Sequence, residues 1–390
     1  MAELPIEIVT NVLSRLPLKA LFKCKCVCKT WCNLLSDSWF VKLWETKWRK
    51  LRFFYVEDLA CSRDGNRCTL QFTSADEEGR SIVQEFTKEG KYYMPRGKHY
   101  TDRGLNMVLA PCNGLLCIYR RYFLLGMIGP FHLCNPITHQ FEILPECSPQ
   151  TWGHAIGFGH VPSTGEYKVV RIFTAEFVHG DDIDGDFGCE IFSIKREGNY
   201  YSSSDSWRVI NRSKCPYPIR NTAVFVNGRL HWVVNTECRF PPDHDNAIIF
   251  FDLASETFGY VPHPPDYQHE QESSIYVLDL AGTLCLLDFD ENLIRLWMLD
   301  DYDKGIWAET HNIMLDPLPL EDGISFKFMA GRELLMAPWH CKYRLYYNID
   351  TRTFRRVEKP EPAGSHGWTF GYYWESYEDL MENHKVLALC

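Results

Sequence analysis

The acidic segment of residues 180–188, GDDIDGDFG, is one place in the chain where side chains could bind a metal. Carboxylates are the ligands that Ca²⁺ prefers, and Asp182, Asp184 and Asp186 have the spacing of the first three ligands of a calcium loop. The pattern then fails, because Phe187 stands where the loop needs glycine and Ser193 where it needs glutamate. We interpret the segment as an acidic surface loop.

Other patterns that could support chemistry also fail. If residues 21–35 form one helix, Cys24, Cys28 and Cys32 share a face and Cys26 points about 200° away from Cys24, so the cysteines lack the spacing of a zinc site. IGFGHVP has Pro162 where a dinucleotide fingerprint needs its third glycine. The sequence also lacks the patterns of zinc proteases, P-loops and nucleophile elbows. We therefore predict no metal, no cofactor and no catalytic residue, although an enzyme with scattered catalytic residues that no motif marks stays an alternative.

The first fifty residues have the pattern of a small helical module. Apolar residues recur at helical spacing after Pro5, then over Leu21–Leu35, and again over Phe40–Leu51, which predicts three helices. A unit of about 45 residues buries too little surface to be stable alone, so a partner or the rest of the chain must cover part of its apolar face. An ordinary helical cap packed on its own domain is the alternative.

This segment resembles the F-box. The residues that carry the resemblance are Leu4, Pro5, Ile8, Leu13, Arg15, Leu16, Pro17, Val27, Cys28, Lys29, Trp31 and Phe40. The resemblance implies docking on an acidic adaptor of the Skp family, which links the chain to a cullin scaffold in a ubiquitin ligase. The predicted adaptor-binding residues are Leu4, Pro5, Ile8, Val12, Leu13, Leu16, Pro17, Leu21, Val27, Cys28, Trp31 and Leu35.

Charge is distributed unevenly along the chain. The total is 41 Lys and Arg against 51 Asp and Glu; residues 1–52 hold ten against four, net +6, which leaves 31 against 47, or −16, for the remainder. A basic head suits an acidic adaptor, whereas the acidic remainder argues against nucleic acid as a ligand. The start MAELPIEI has no signal-peptide pattern, and no apolar run is long enough to span a bilayer. We expect reduced thiols, no membrane contact and a cytoplasmic or nuclear location.

A repeat governs the rest of the chain. NPITHQFEILP from Asn135 and DLASETFGYVP from Asp252 align without a gap, and similar copies follow. Five aromatic anchors, Phe141, Trp207, Phe258, Trp307 and Phe354, are 66, 51, 49 and 47 residues apart and are expected to be buried at equivalent positions. Four predicted strands in about 50 residues indicate a kelch-like propeller blade. An irregular β-sandwich is the alternative.

The predicted fold class is α+β multidomain: a three-helix module that resembles the F-box, followed by an all-β, kelch-like propeller with six blades expected. Residues 53–100 would supply a degenerate unit, and GWTFGYYWESY from Gly367 the strand that closes the ring. The predicted domains are the F-box at 1–50, the propeller at 53–377 and a C-terminal tail at 378–390.

The body resembles the plant F-box-associated domain of S-locus-like F-box proteins. Cys112-Asn113-Gly114-Leu115, Asn135, Pro136, Thr138, Gly157-Phe158-Gly159, Tyr167-Lys168-Val169-Val170 and Asp205-Ser206-Trp207 carry the resemblance. It implies a receptor that holds a target protein for ubiquitination and degradation, and that is not itself an enzyme. A lectin or small-ligand receptor is the alternative function.

Long loops on one face of the predicted propeller are the expected recognition surface, because binding residues concentrate on loops held by a rigid scaffold. The predicted loops include 120–130, 146–153, 178–188, 211–220, 235–246, 262–273 and 311–323. The candidate target-binding residues are Trp152, His179, Asp181, Asp182, Asp184, Asp186, His244, His263, Tyr267, His269, Trp339 and His340. For each of them a solvated loop residue is the alternative.

Overall fold

The architecture of the chain comes from a computed structural model. The structure describes residues 5–16, 18–37, 39–40, 43–44, 51–61, 67–75, 81–89, 105–109, 112–113, 115–122, 127–135, 140–147, 154–174, 187–197, 200–203, 206–210, 223–233, 247–265, 267, 274–280, 282–290, 293–315, 324–329, 333–338, 343–358 and 370–374.

The N-terminal module contains α1 (Ile6–Leu13), α2 (Leu18–Lys25) and α3 (Lys29–Leu34). α1 begins directly after Pro5, whose carbonyl accepts hydrogen bonds from the N–H groups of Ile8 (3.0 Å) and Val9 (3.2 Å). Proline is tolerated here because the first N–H groups of a helix have no intrahelical acceptor.

The prediction of one continuous helix over Leu21–Leu35 is wrong. A turn at Cys26 and Val27 ends α2, and Cys28 is extended, with φ −159° and ψ 164°. The N–H groups of Cys26 and Val27 donate to carbonyls three residues earlier, at 3.1 Å each, so the chain tightens before it turns. The apolar stripe continues across the turn, which is why the sequence pattern alone conceals it. The shared helical face that we expected for Cys24 and Cys28 is therefore absent.

The strands occupy the rest of the chain. They are β1 (Leu51–Cys61), β2 (Arg67–Ala75), β3 (Ser81–Glu89), β4 (Leu105–Val108), β5 (Leu116–Tyr122), β6 (Met127–Asn135), β7 (Gln140–Ile143), β8 (His154–Val161), β9 (Glu166–Thr174), β10 (Phe187–Glu197), β11 (Tyr200–Ser203), β12 (Arg208–Ile210), β13 (Val224–Val226), β14 (Arg229–Val233), β15 (Ala247–Asp252), β16 (Thr257–Pro262), β17 (Ser274–Leu280), β18 (Thr283–Asp290), β19 (Leu293–Asp301), β20 (Ile306–Met314), β21 (Ile324–Met329), β22 (Glu333–Pro338), β23 (Tyr343–Asn348), β24 (Thr353–Glu358) and β25 (Phe370–Trp374).

Within the described residues these strands form six antiparallel sheets. Sheet 1 has the order β25-β1-β2-β3, sheet 2 β4-β5-β6-β7, and sheet 3 β8-β9-β10-β11, with β12 also paired to β10. Sheet 4 has the order β13-β14-β15-β16, sheet 5 β17-β18-β19-β20, and sheet 6 β21-β22-β23-β24. The predicted four-stranded repeat is therefore observed. We call the last strand in each order the outer strand; in sheet 3, β11 and β12 both pair with β10 and both count as outer strands.

The C-terminal strand joins the two ends of the strand-rich region. β25 pairs with β1, with Leu51 opposite Trp374 and Tyr55 opposite Phe370. In sheet 1 the first position is therefore filled by β25, from the other end of the strand-rich region. In each later sheet the first position is filled by the strand that comes first in the chain. The prediction that residues near Gly367 supply the closing strand is confirmed at this pairing.

Apolar layers hold neighbouring sheets together. β13 contacts both β8 and β17, β17 contacts β21, and β3 contacts β7. The interfaces from sheet 2 to sheet 6 are filled from both sides, as where Ile248 and Val261 of sheet 4 pack in one cluster with Leu284 and Leu286 of sheet 5. The predicted fold class, an N-terminal helical module followed by a β-propeller, is confirmed.

The same turn geometry recurs in several sheets and explains the repeated Asn and Asp residues. The Asp252 carboxylate accepts hydrogen bonds from the N–H groups of Ala254 and Ser255, at 3.0 Å each, and the Asn348 side chain accepts one from Thr351 at 2.8 Å. The residue before the outer strand then takes a left-handed conformation, as at Glu256, with φ 56°. Short polar side chains that accept from the backbone two or three residues on favour such turns.

The aromatic anchors occupy equivalent positions but are not all buried. Phe141, Phe258, Trp307 and Phe354 are each the second residue of an outer strand, and Trp207 directly precedes β12. Trp207 is 9% exposed, whereas Phe354 is 46% exposed and the other three are half-buried. The burial prediction is therefore wrong for most anchors, because no described strand pairs with the far side of these outer strands.

Three of the predicted long loops are shorter than expected. β5 and β6 extend into 120–130 and pair as far as Tyr122 and Met127, β20 runs to Met314, and β10 begins at Phe187. Strand pairing therefore continues into segments that the sequence analysis assigned to loops.

Candidate functional site

The helical module has a core of its own. Leu13, Leu21, Leu35, Phe40 and Trp44 are each no more than 3% exposed and form one cluster, against which Leu16 and Trp31 pack. The Trp44 indole N–H donates a hydrogen bond to the Leu16 carbonyl at 3.1 Å. Leu13, Leu21 and Leu35, three of the predicted adaptor-binding residues, therefore lie in the core that holds the helices together.

Other residues of the predicted set face outwards. Ile8 and Val12 are 50% and 55% exposed and lie four residues apart, which places them on one face of α1, and Val27 in the α2–α3 turn is 64% exposed. Pro5 and Cys28 are exposed as well, whereas Leu4 and Pro17 lie outside the described residues. Several large apolar side chains exposed on one small module indicate a surface for a partner.

A groove on another side of α1 was missed by the sequence analysis. It has a volume of about 640 Å³, and Ile6, Thr10, Ser14, Leu34, Trp39 and Leu43 are among its lining residues. Ile6 is 45% and Trp39 60% exposed. The available signal was the Trp39-Phe40 pair. Both residues are helical, adjacent residues of a helix point in different directions, and Phe40 is buried in the core.

Only two of the candidate target-binding residues in the propeller lie in the described part of the chain. His263 and Tyr267 follow β16 and contact each other edge to face, with ring centroids 4.9 Å apart. The Tyr267 ring also meets Trp297 of sheet 5 at 5.9 Å, so this pair packs at the interface between sheets 4 and 5. The candidates outside the described residues are Trp152, His179, Asp181, Asp182, Asp184, Asp186, His244, His269, Trp339 and His340.

A polar cluster that the sequence analysis did not anticipate lies between the same two sheets. The His231 imidazole Nε2 and the Tyr302 hydroxyl are 2.6 Å apart. The Arg229 guanidinium lies over the Tyr302 ring at 4.5 Å and donates to Asp252 at 3.0 Å. Burial, together with the nearby Arg229 charge, lowers the pKa of His231 to about 4, and burial raises the pKa of Tyr302 to about 12. Both groups are neutral near pH 7.

Several cysteine thiols of the propeller are buried and remain protonated near pH 7. Burial raises the pKa of the Cys112 thiol to about 12 and raises those of Cys117 and Cys134 further. A thiol must lose its proton to act as a nucleophile or a metal ligand, so these side chains act as small apolar residues. Among the described residues, no group of three His, Cys, Asp or Glu side chains could hold a metal ion. The described part of the chain also contains no helix that is long and apolar enough to cross a membrane.

Comparison with known families identifies both parts of the chain. Residues 1–43 match the F-box domain, and residues 58–386 match the F-box associated beta propeller domain. The chain is a member of the F-box-associated propeller family. Similar proteins are named F-box proteins: F-box protein DOR of Arabidopsis thaliana is 26% identical over 375 residues, which cover 91% of this chain and 87% of DOR.

The relationship to this family extends over most of the chain. F-box protein At3g07870 of Arabidopsis thaliana is 26% identical over 323 residues, which cover 80% of this F-box protein and 72% of the relative. Among solved structures, the Trypanosoma rangeli sialidase in complex with 2,3-difluorosialic acid is 11% identical, with a TM-score of 0.40 over 66% of this chain and 48% of the sialidase. A likeness of that degree supports no argument about activity.

Proposed function

We propose that this F-box protein is the substrate-recognition subunit of a Skp-cullin-F-box ubiquitin ligase. In this role the helical module binds a Skp-family adaptor, the adaptor connects it to a cullin, and the propeller holds a target protein for ubiquitination and degradation. The observation that carries the proposal is the set of exposed apolar side chains, Ile8, Val12 and Val27, on a module that matches the F-box.

The adaptor side of the proposal depends on burial and charge. Full burial of an exposed aliphatic side chain is worth about 1.5–3 kcal/mol, and each of these side chains, 50% to 64% exposed, can gain roughly half of that. The core of the module is already filled by Leu13, Leu21 and Leu35, so this gain is available only to a partner. The net charge of +6 over residues 1–52 favours association with an acidic adaptor.

The target side of the proposal depends on the propeller as a rigid platform. Chemistry belongs to other subunits, and this chain contributes by holding target lysines near the transfer enzyme, which raises their effective concentration. His263 and Tyr267 remain candidates for target contact, together with the candidates that lie outside the described residues.

The acidic loop suggests the chemistry of the target. Asp181, Asp182, Asp184 and Asp186 form a cluster in the sequence, without Lys or Arg in 178–188, and the body of the chain is net −16. Clustered carboxylates speed the association of basic partners. The proposed target therefore presents a basic patch, and replacing the four aspartates with Asn slows its capture at low salt while adaptor binding is retained.

Expression of the tagged full chain in plant cells with the proteasome inhibited tests this function. The wild-type chain is expected to co-purify with a Skp-family adaptor, a cullin and one or more ubiquitinated proteins. Val12→Asp is expected to lose adaptor and cullin while it retains the target, whereas Val209→Asp, on a propeller strand at 50% exposure, serves as the matched control. A wild-type chain that captures neither adaptor nor cullin would contradict the proposal.

A further inference from the structure

The outer strand of sheet 6 is unusually open. In β24 every residue except the half-buried Val357 is exposed, and the strand stands at the end of its sheet, paired on one side with β23. Its other backbone edge therefore pairs with no described strand. Such an edge is a template for a further strand from another chain.

The other outer strands are less suitable for pairing. β7 and β11 have four residues each and β12 has three, β16 contains Gly259 and ends at Pro262, and β20 has two register shifts. β3 is long, but it contacts β7 of the neighbouring sheet. Short strands, proline and bulges all hinder strand addition, whereas β24 has six residues in continuous register and none of these features.

Two arginines of β24 are held in place by aromatic rings. The Arg355 guanidinium lies 3.7 Å from the centroid of the Tyr346 ring and is fixed further by Glu333, at 2.8 Å. The Arg356 guanidinium lies 3.9 Å from the Tyr343 ring centroid. Adjacent strand residues point to opposite faces, so one cation is presented on each face of the edge. A stacked guanidinium loses little conformational freedom when it binds a carboxylate.

The ion pair of Arg356 is exposed to solvent, so its guanidinium can bind a competing carboxylate. Its partner Glu358, 3.1 Å away, is 67% exposed, and Arg356 itself is 59% exposed. Ion pairs that are this exposed contribute little to stability. A carboxylate on an added strand can therefore replace Glu358 at small cost.

We infer that β24 binds an extended acidic segment of another protein as an added antiparallel strand. Directly opposite residues of antiparallel strands share a face. The fitting segment therefore has two adjacent carboxylates opposite Arg355 and Arg356, flanked by apolar residues opposite Phe354, which is 46% exposed, and Val357. A second copy of this chain fits poorly, because antiparallel pairing about the centre of β24 sets Arg355 against Arg356.

This surface lies outside the F-box, so its test is independent of adaptor binding. The probes are two fluorescent ten-residue peptides with alternating Thr and Val ends and a centre of either Val-Glu-Glu-Val or Val-Lys-Lys-Val. Anisotropy with the full chain at low salt is expected to show the Glu peptide binding at least about tenfold more tightly than the Lys peptide.

Charge reversal at the edge tests whether these arginines bind an acidic strand or keep the edge from pairing. Arg356→Glu is expected to weaken the Glu peptide about tenfold and to strengthen the Lys peptide. Lys304→Glu, at a turn in sheet 5 where the side chain is 71% exposed, makes the same change of charge away from β24 and is expected to leave both affinities unchanged. Equal affinity for both peptides, or equal effects of the two substitutions, would overturn the inference and leave the arginines as residues that keep the edge from pairing.

Discussion

The indole N–H of Trp307 in sheet 5 donates a hydrogen bond of 2.8 Å to the carbonyl of Pro262, the last residue of the outer strand in sheet 4. Trp207 of sheet 3 makes the same bond, at 2.9 Å, to Pro145 just beyond the outer strand of sheet 2. The aromatic anchor of one sheet thus fastens the end of the preceding sheet at two separate interfaces. Sheet 6 has Phe354 at this position, and its side chain has no N–H to donate.

Replacing Trp307 with Phe tests the contribution of this bond. We expect Trp307→Phe to lower the free energy of unfolding by about 1–2 kcal/mol, because it removes a hydrogen bond and part of a ring. Trp207→Phe is expected to have a similar effect, whereas Trp39→Phe, at a side chain 60% exposed, should change little. Urea unfolding of the three variants measures the differences, and an unchanged midpoint for Trp307→Phe would contradict the proposed contribution.

Two residues before outer strands give a matched pair of glycine substitutions. Arg352 and Glu256 both have φ 56°, a conformation that favours glycine, and Gly165 and Gly305 take similar conformations in sheets 3 and 5. The Arg352 side chain is exposed. We expect Arg352→Gly to stabilise the chain by up to about 1 kcal/mol in thermal or urea unfolding.

Glu256→Gly should have the opposite effect although it relieves the same backbone conformation. The Glu256 carboxylate accepts from Lys168 at 2.8 Å and from Arg208 at 2.6 Å, and the Lys168 side chain is only 7% exposed. Loss of the carboxylate removes the counter-ion of the buried Lys168 ammonium, which is expected to lower the free energy of unfolding by about 1–3 kcal/mol. If both glycine variants shift stability in the same direction, the ion pairs are not the dominant contribution at Glu256.

The His231 cluster predicts a loss of stability in mild acid. The pKa of His231 is lowered from 6.5 to about 4 in the folded chain, so the unfolded chain takes up a proton first as the pH falls. The free energy of unfolding is therefore unaffected by this group above about pH 6.5 and should fall by up to about 3 kcal/mol between pH 6.5 and 4. Glu256 and Asp252, whose pKa values are lowered by their hydrogen bonds despite burial, lose their contributions at more acidic pH.

Urea titrations at pH 7.5, 6.5, 5.5 and 4.8 separate these groups. In His231→Gln the slope of stability against pH should flatten over this range, because the titrating group is gone while a polar side chain remains beside Tyr302. An unchanged slope in the variant would show that another group controls the acid sensitivity.

The local elements of this fold were predictable because their determinants are local. The Asp252 and Asn348 side chains cap their own turns, so the repeat that they mark survives in the sequence. The closing strand near Gly367 was predictable for a similar reason, since Phe370, Tyr372 and Trp374 recur at every second residue, the period of a strand.

Features that depend on distant parts of the chain could not be predicted. The exposure of Phe354 depends on what packs beside an outer strand, and the Trp307–Pro262 bond joins residues 45 apart in sequence. The break between α2 and α3 was hidden because apolar residues continue through the turn at Val27. On the F-box surface, the motif identified Ile8 but not Trp39, since motifs record residue types and not the groove that they line.

Direct measurement of the affinity of a purified Skp-family adaptor for the full chain tests the central claim. Calorimetry is expected to show tight binding by the wild type and a loss of at least about 2 kcal/mol, roughly thirtyfold, for Val12→Asp, because a charge replaces a buried interface side chain. Val209→Asp, the same substitution at similar exposure on the propeller, should bind like the wild type. Wild-type chain that does not bind the adaptor, or Val12→Asp with unchanged affinity, would contradict the account.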